Sequence, residues 1–182
     1  MPRPTDPAAR WDLIRHPPPS IAPGICYGRL DIEALPGFRA PRVARPDFVW
    51  SSPSRRCLAL AGEIGRRHRR RPVVDRRLLE LDFGVWEGVA WDDIPRARLD
   101  GWAHAPLGRG APGGESGAGL IWRVRSFASL IAARPGRHVV VSHGGPLVVL
   151  ARLLEGSRPD LAAPRPTFGA VVRPCRAGLR RG

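Results

Sequence analysis

Twice in this chain an apolar run stops at a histidine, and the second instance constrains the fold most. Val139-Val140-Val141-Ser142-His143-Gly144-Gly145-Pro146 reads as a buried strand that ends on an imidazole and passes straight into a helix. Pro146 is expected at the first helical position, where its missing N–H matters least. The other instance is Trp11-Asp12-Leu13-Ile14-Arg15-His16, followed by three prolines. His16 precedes Pro17, which biases it toward an extended backbone and so prolongs the strand. Parallel α/β proteins bind ligands outside the carboxyl ends of their strands. Two strands ending this way can bring both histidines to one pocket, an arrangement that suits phosphoryl chemistry.

The rest of the chain supplies the other layers. Phe48-Val49-Trp50-Ser51 reads as a second strand. A helix then follows, with Ser52 as N-cap and Pro53 at the first helical position. Cys57, Leu60, Ala61 and Ile64 recur at helical spacing and give it one core-facing stripe. Arg66-Arg67-His68-Arg69-Arg70-Arg71 ends it, where cations complement the helix dipole. Further strands are expected at Val73–Asp75, His138–Ser142 and Phe168–Arg173, with helices from Ser116 to about Ala133 and from Pro146 to Glu155. Residues 17–47 are punctuated by proline and read as a surface loop, with at most a short helical piece near Ile32–Leu35. Residues 1–10 and 175–182 read as flexible. The alternation predicts an α/β fold around a mainly parallel sheet, in a single domain spanning residues 1–182.

Composition narrows the function. The formal net charge is +14, from 30 basic and 16 acidic residues, and every basic residue is arginine because lysine is absent. With 21 glycines and 21 prolines, this points to a bias in coding, so the charge says less about a nucleic-acid partner than its size suggests. A basic surface still steers small phosphate anions. Cys26, Cys57 and Cys175 show neither Cys-x-x-Cys nor zinc spacing and read as free thiols of a reducing cytoplasm. The first residues have no apolar core of a secretory signal. The apolar helical segment from Pro146 to Leu154 is too short to span a bilayer. The expected chain is soluble and cytoplasmic, with no membrane partner.

Four motifs carry chemistry. His143, between a strand and a helix start, lies beside free backbone N–H groups that attract anions. Capping of a tight turn is the competing explanation. Arg15-His16 closes the first strand. Ser51-Ser52-Pro53-Ser54-Arg55-Arg56-Cys57 puts an arginine on the first turn of a helix. Leu78-Leu79-Glu80-Leu81-Asp82-Phe83-Gly84-Val85-Trp86-Glu87-Gly88 sets carboxylates among large apolar residues. Burial there raises a carboxyl pKa, as a general acid near neutral pH requires.

In this order the four motifs resemble the histidine phosphatase superfamily, also called phosphoglycerate mutase-like, from about Trp11 to Val172. The Cys26-Tyr27-Gly28-Arg29-Leu30-Asp31 stretch and the run from Glu80 to Gly88 look most like the α-ribazole phosphatases of cobalamin synthesis. The resemblance implies a three-layer α/β/α fold and a phosphomonoesterase acting on a small phosphate ester. It makes His16 the nucleophile, with Arg15, Arg56 and His143 holding the phosphoryl oxygens and Glu80 the acid. Arg56 rather than Arg55 matches, because the family's arginine directly precedes the small residue occupied here by Cys57. Glu87 is the rival carboxylate and reads as structural. Two departures stand out. The family usually has glycine after the nucleophile, where this chain has Pro17. The polar stretch that follows is replaced by Pro17-Pro18-Pro19-Ser20. Proline keeps its carbonyl, so an acceptor that fixes the imidazole tautomer can survive. Tyr27 and Arg29 are then the remaining candidates for substrate contact.

The scheme requires no metal or other cofactor. A phosphoglycerate mutase using the same residues is a second reading, weakened by the little material between Gly88 and Gly113 to close over an intermediate. An arginine-rich nucleic-acid module without catalysis is a third. The charge favours it, but no recognised nucleic-acid motif accompanies the arginine runs. Oligomeric state is not legible.

Overall fold

Strands β1 (Arg10–Arg15), β2 (Phe48–Ser51), β3 (Val73–Val74), β4 (Arg137–Ser142) and β5 (Val171–Val172) form one sheet in the order β3-β2-β4-β1-β5. A computed structural model of the protein describes residues 9–175. The flexibility expected of residues 1–8 and 176–182 concerns residues outside that range. Strands β1 to β4 run parallel, and only the short edge strand β5 runs antiparallel, against β1.

Alternation along the central strands builds two cores. Leu13, Trp50 and Val140 face helices α3 (Gly117–Ala132) and α4 (Gly144–Leu154) through Leu120, Val124, Phe127, Leu147 and Leu150. Their neighbours Ile14, Val49, Val139 and Val141 face α1 (Arg55–His68) through Cys57, Leu60, Ala61 and Ile64. A central strand covered on both sides must be apolar on both, which is why β4 contains three consecutive valines. A smaller cluster of Cys26, Trp86, Ile94 and Ala111 lies beneath the loops that carry α2 (Arg96–His104).

Several sequence-based boundaries move. The N-cap of α1 is Ser54 rather than Ser52, and the helix begins at Arg55. The Ser52 hydroxyl is engaged elsewhere, with His143. Helix α4 begins at Gly144 with His143 as N-cap, so Pro146 is its third residue, still within the turn whose N–H groups have no helical partner. The final strand is confined to Val171–Val172, because Phe168 and Gly169 form a turn. No helix forms at Ile32–Leu35, where Ala34 instead bridges Pro19. Helix α2 and three single-turn 3₁₀ helices at Arg76–Leu78, Gly84–Trp86 and Trp91–Asp93 were not anticipated.

Candidate active site

The register of the central strands assembles the site. Arg15 on β1 stands beside Ser142 on β4, so the next residue of each strand, His16 and His143, leaves the sheet side by side. Their ring centroids are 5.1 Å apart, edge to face, and both residues are buried. The N–H of His16 donates to the carbonyl of Ser142 at 2.9 Å, and that of Ser52 to Val141 at 3.0 Å. The carboxyl ends of β1, β4 and β2 therefore converge.

His16 holds one defined tautomer. Its Nδ1–H donates to the carbonyl oxygen of Pro17 at 2.6 Å. A carbonyl can only accept, so Nε2 keeps its lone pair. Burial lowers the His16 pKa to about 3, against the pull of that bond, and the positive charges of Arg56 and Arg15 add to the effect.

His143 is neutral too, for related reasons: burial first, then the neighbouring His16 and Arg56, hold its pKa well below the ordinary value. Arg56 Nη2 lies 3.2 Å from His143 Nδ1. A guanidinium can only donate, so Nδ1 accepts and Nε2 carries the proton. That N–H meets Ser52 Oγ at 2.8 Å.

The two guanidiniums are held differently. Arg56 is fully buried, donating at 2.6 Å to the Leu30 carbonyl and at 2.7 Å to that of Gly28. Neighbouring Arg55 points outward to Glu33 at 3.1 Å. Arg15 donates at 2.8 Å to the Pro166 carbonyl, stands beside the Tyr27 hydroxyl, and lies 4.0 Å from the centre of the Phe168 ring. Both arginines retain a buried Nε–H with no partner among the described residues. An unpaired buried donor is costly, and here two of them accompany the histidine pair.

Glu80 reaches the same end of the sheet through α4. Its carboxylate accepts the N–H of Gly145 at 3.3 Å and that of Leu81 at 2.9 Å. A side chain on Gly145 would meet this carboxylate and push it out of its present position. Enclosure of Glu80 is only partial, less than the apolar run around it suggested. Its backbone is clamped instead. Arg123 donates to the carbonyls of Arg77, Leu79 and Glu80 at 2.7, 2.6 and 2.9 Å. The same guanidinium pairs with Glu115 at 2.8 Å.

Glu87 turns inward, accepting the N–H groups of Arg29 at 2.8 Å and Phe83 at 3.1 Å. Arg29 is committed as well, to the Glu80 carbonyl and to Asp82 and Glu115, the two carboxylates at 3.1 Å each. Tyr27 stands near the histidines, its ring centroid 6.4 Å from that of His16. The structure thus gathers His16, His143, Arg15, Arg56 and Tyr27, with Glu80 on the adjoining helix start, and ties Arg29 into the loop scaffold. Sequence reasoning missed Ser52, Phe168 and the Arg123–Glu115 pair. The two serines flanking Pro53 were the available hint for the first.

Among the described residues no group of three or more His, Cys, Asp or Glu side chains is placed to hold a metal ion. No helix among them is long and apolar enough to cross a membrane.

The model of the histidine phosphatase superfamily (branch 1) matches residues 28–168. The chain belongs to the histidine phosphatase superfamily. The match begins after Arg15 and His16, downstream of the stretch where Pro17-Pro18-Pro19 replaces the family's usual polar residues. This histidine phosphatase is 32% identical over 160 residues to a Hydrogenobacter thermophilus protein named "Putative phosphoserine phosphatase 2", spanning 81% of this chain and 79% of the relative. A mycobacterial glucosyl-3-phosphoglycerate phosphatase in complex with VO3 superposes with a TM-score of 0.73 at 26% identity, covering 91% of this chain and 92% of that one. The α-ribazole phosphatase of Shigella flexneri superposes with a TM-score of 0.75 at 21% identity, over 90% and 89% of the two chains, a likeness of fold. The chain is accordingly a phosphatase hydrolase of α/β, phosphoglycerate mutase-like fold.

Proposed function

We propose that the protein hydrolyses small phosphate monoesters through a phosphohistidine on His16. The observation that carries this reading is the His16 tautomer. With Nδ1–H held by the Pro17 carbonyl, Nε2 presents a lone pair beside two guanidiniums and a second imidazole. A neutral imidazole needs no separate base to act as nucleophile.

In the first step Nε2 attacks phosphorus while the ester P–O bond breaks. Protonated Glu80 gives its proton to the departing alkoxide. In the second, the Glu80 carboxylate takes a proton from water, whose oxygen attacks phosphorus. The P–N bond then breaks, releasing inorganic phosphate and restoring Nε2. Charge on the equatorial oxygens is met by Arg15, Arg56 and the His143 Nε2–H, since guanidinium forks suit phosphate. For His143 this means exchanging Ser52 for a phosphoryl oxygen.

The reading is of one catalytic domain acting in the cytoplasm on a small-molecule ester. α-Ribazole 5′-phosphate, suggested by the sequence resemblance, belongs to this class. So do phosphoserine and glucosyl-3-phosphoglycerate, named for relatives. Rapid quenching during turnover is expected to trap an acid-labile, base-stable phosphoramidate on His16, located by peptide mass spectrometry. A phosphate group found on serine instead, or an active His16→Ala protein, overturns it.

A further inference from the structure

Beside Glu80 the protein encloses a cavity of about 280 Å³ whose lining includes Leu81, Phe83, Trp102 and Leu161. Glu80 and Gly145 form the wall nearest His143, and among the described residues the only other charged one in the lining is Arg165. Glu80 is the proposed proton donor to the leaving group, so the alcohol part of the substrate enters this space. The volume lies at the small end of ligand pockets, which fits a single ring or short branched chain better than a nucleotide.

Arg165 differs from the other arginines of the site. Arg15, Arg29, Arg56 and Arg123 are each tied to carbonyls or carboxylates. Arg165 has neither a hydrogen bond nor an ion pair among the described residues. The backbone that carries it is nevertheless braced. Pro164 and Pro166 flank it, each restricting its own φ. The Pro166 carbonyl receives Arg15 Nη1 at 2.8 Å. The Arg165 methylenes pack against Gly144, next to His143, where an added side chain would meet Cδ at 3.1 Å. Arg165 is itself exposed, at the mouth of the cavity; a cation on a braced segment there is placed to meet an anion that enters the apolar space.

Resting on the phosphomonoesterase reading, we infer that Arg165 is a specificity-determining residue that receives a carboxylate on the leaving group. The preferred substrates are then phosphate esters of compact, largely apolar alcohols that carry an acid group. A carboxylate suits the site better than a second phosphate, because a monoanion costs less to desolvate in an apolar cavity that already holds Glu80. The planar guanidinium also accepts a carboxylate in bidentate fashion.

The test compares two isosteric esters with equivalent leaving groups, 4-(carboxymethyl)phenyl phosphate and its uncharged counterpart 4-(carbamoylmethyl)phenyl phosphate. The wild-type protein is expected to favour the acid by about fivefold in kcat/KM, the value of an ion pair at a partly open rim. Arg165→Gln should bring that ratio to about one, and Arg165→Glu should invert it. Because the ratio is taken within each variant, a general loss of activity does not affect it. Wild-type hydrolysis of both esters at equal efficiency, or a preference that survives Arg165→Gln, overturns the role of Arg165 and leaves the phosphatase reading standing. Failure to hydrolyse either ester overturns both.

Discussion

The Nδ1–H of His16 is bonded at 2.6 Å to the carbonyl of the next residue, Pro17. The family's usual glycine is missing at this position, yet a backbone acceptor remains, because proline loses only its N–H. The tautomer of the proposed nucleophile is set by the main chain of its own loop.

A depressed histidine pKa has consequences for stability. In the folded free enzyme His16 stays neutral down to about pH 3, whereas in the unfolded chain it takes up a proton near 6.5. Between those values the unfolded state binds more protons, so stability falls as pH falls from about 6.5 and is fully retained above it. The contribution is at most about 1.4 kcal/mol per pH unit. Urea midpoints at pH 7 and pH 4.5 should drop further for wild type than for His16→Gln. Equal drops would remove His16 from the account.

Glu80 and Glu87 separate by leaving group. A general acid contributes roughly 10²–10⁴-fold when the leaving group is poor. Glu80→Gln should therefore cripple hydrolysis of alkyl phosphates and affect nitrophenyl phosphate far less. Glu87 accepts two backbone N–H groups in the loop scaffold, so Glu87→Ala should lower the melting temperature and show no such leaving-group pattern. The reverse behaviour would make Glu87 the acid.

Ser52→Ala tests whether His143 meets the phosphoryl group. Removing the hydroxyl takes away the 2.8 Å partner of a buried Nε2–H and leaves it the longer contacts to Ser54 Oγ at 3.4 Å and Cys57 Sγ at 3.6 Å, at a cost of about 1 kcal/mol. On the proposed reading, orthovanadate sits among Arg15, Arg56 and His143 and supplies an oxygen for that donor. It should raise the melting temperature of the variant by more than that of wild type. Equal protection would mean that His143 keeps its proton turned away from the ligand.

In the proposed mechanism, guanidinium groups and imidazoles provide the charge and donors that a metal would otherwise supply. Activity is therefore expected to survive prolonged treatment with EDTA. Loss on chelation, restored by zinc or magnesium, would make His16 and His143 ligands.

Strand positions were the most legible part of the sequence, because β-branched runs bounded by turn residues leave few alternatives. Phe48–Ser51 matches the strand without adjustment. Helix α2 was not legible, since Arg96–His104 fully buries no residue and its apolar contact is limited to Leu99 and Trp102, too short a stripe to stand out. In the site, the histidine pair could be read from two strands that stop alike, and the structure separates buried Arg56 from outward Arg55. Ser52 misled because a serine before a helix serves equally as a cap or as a partner for a side chain brought in from afar. The Arg123 clamp left no signature at all. Its acceptors are backbone carbonyls at Arg77, Leu79 and Glu80, and main-chain oxygens are present in every sequence.

The sheet order sets a timetable for the nascent chain. Strand β1 emerges first from the ribosome, yet its two neighbours are β4 and β5, which emerge last. Leu13 and Ile14 must therefore wait, without a sheet partner, until most of the polypeptide exists. Contacts so distant along the chain form slowly, and an unpaired apolar strand invites association with other chains meanwhile. A message cut short before Arg137 would yield a protein that has already made His16 but has no strand to seat it against, a natural client for chaperones and proteases.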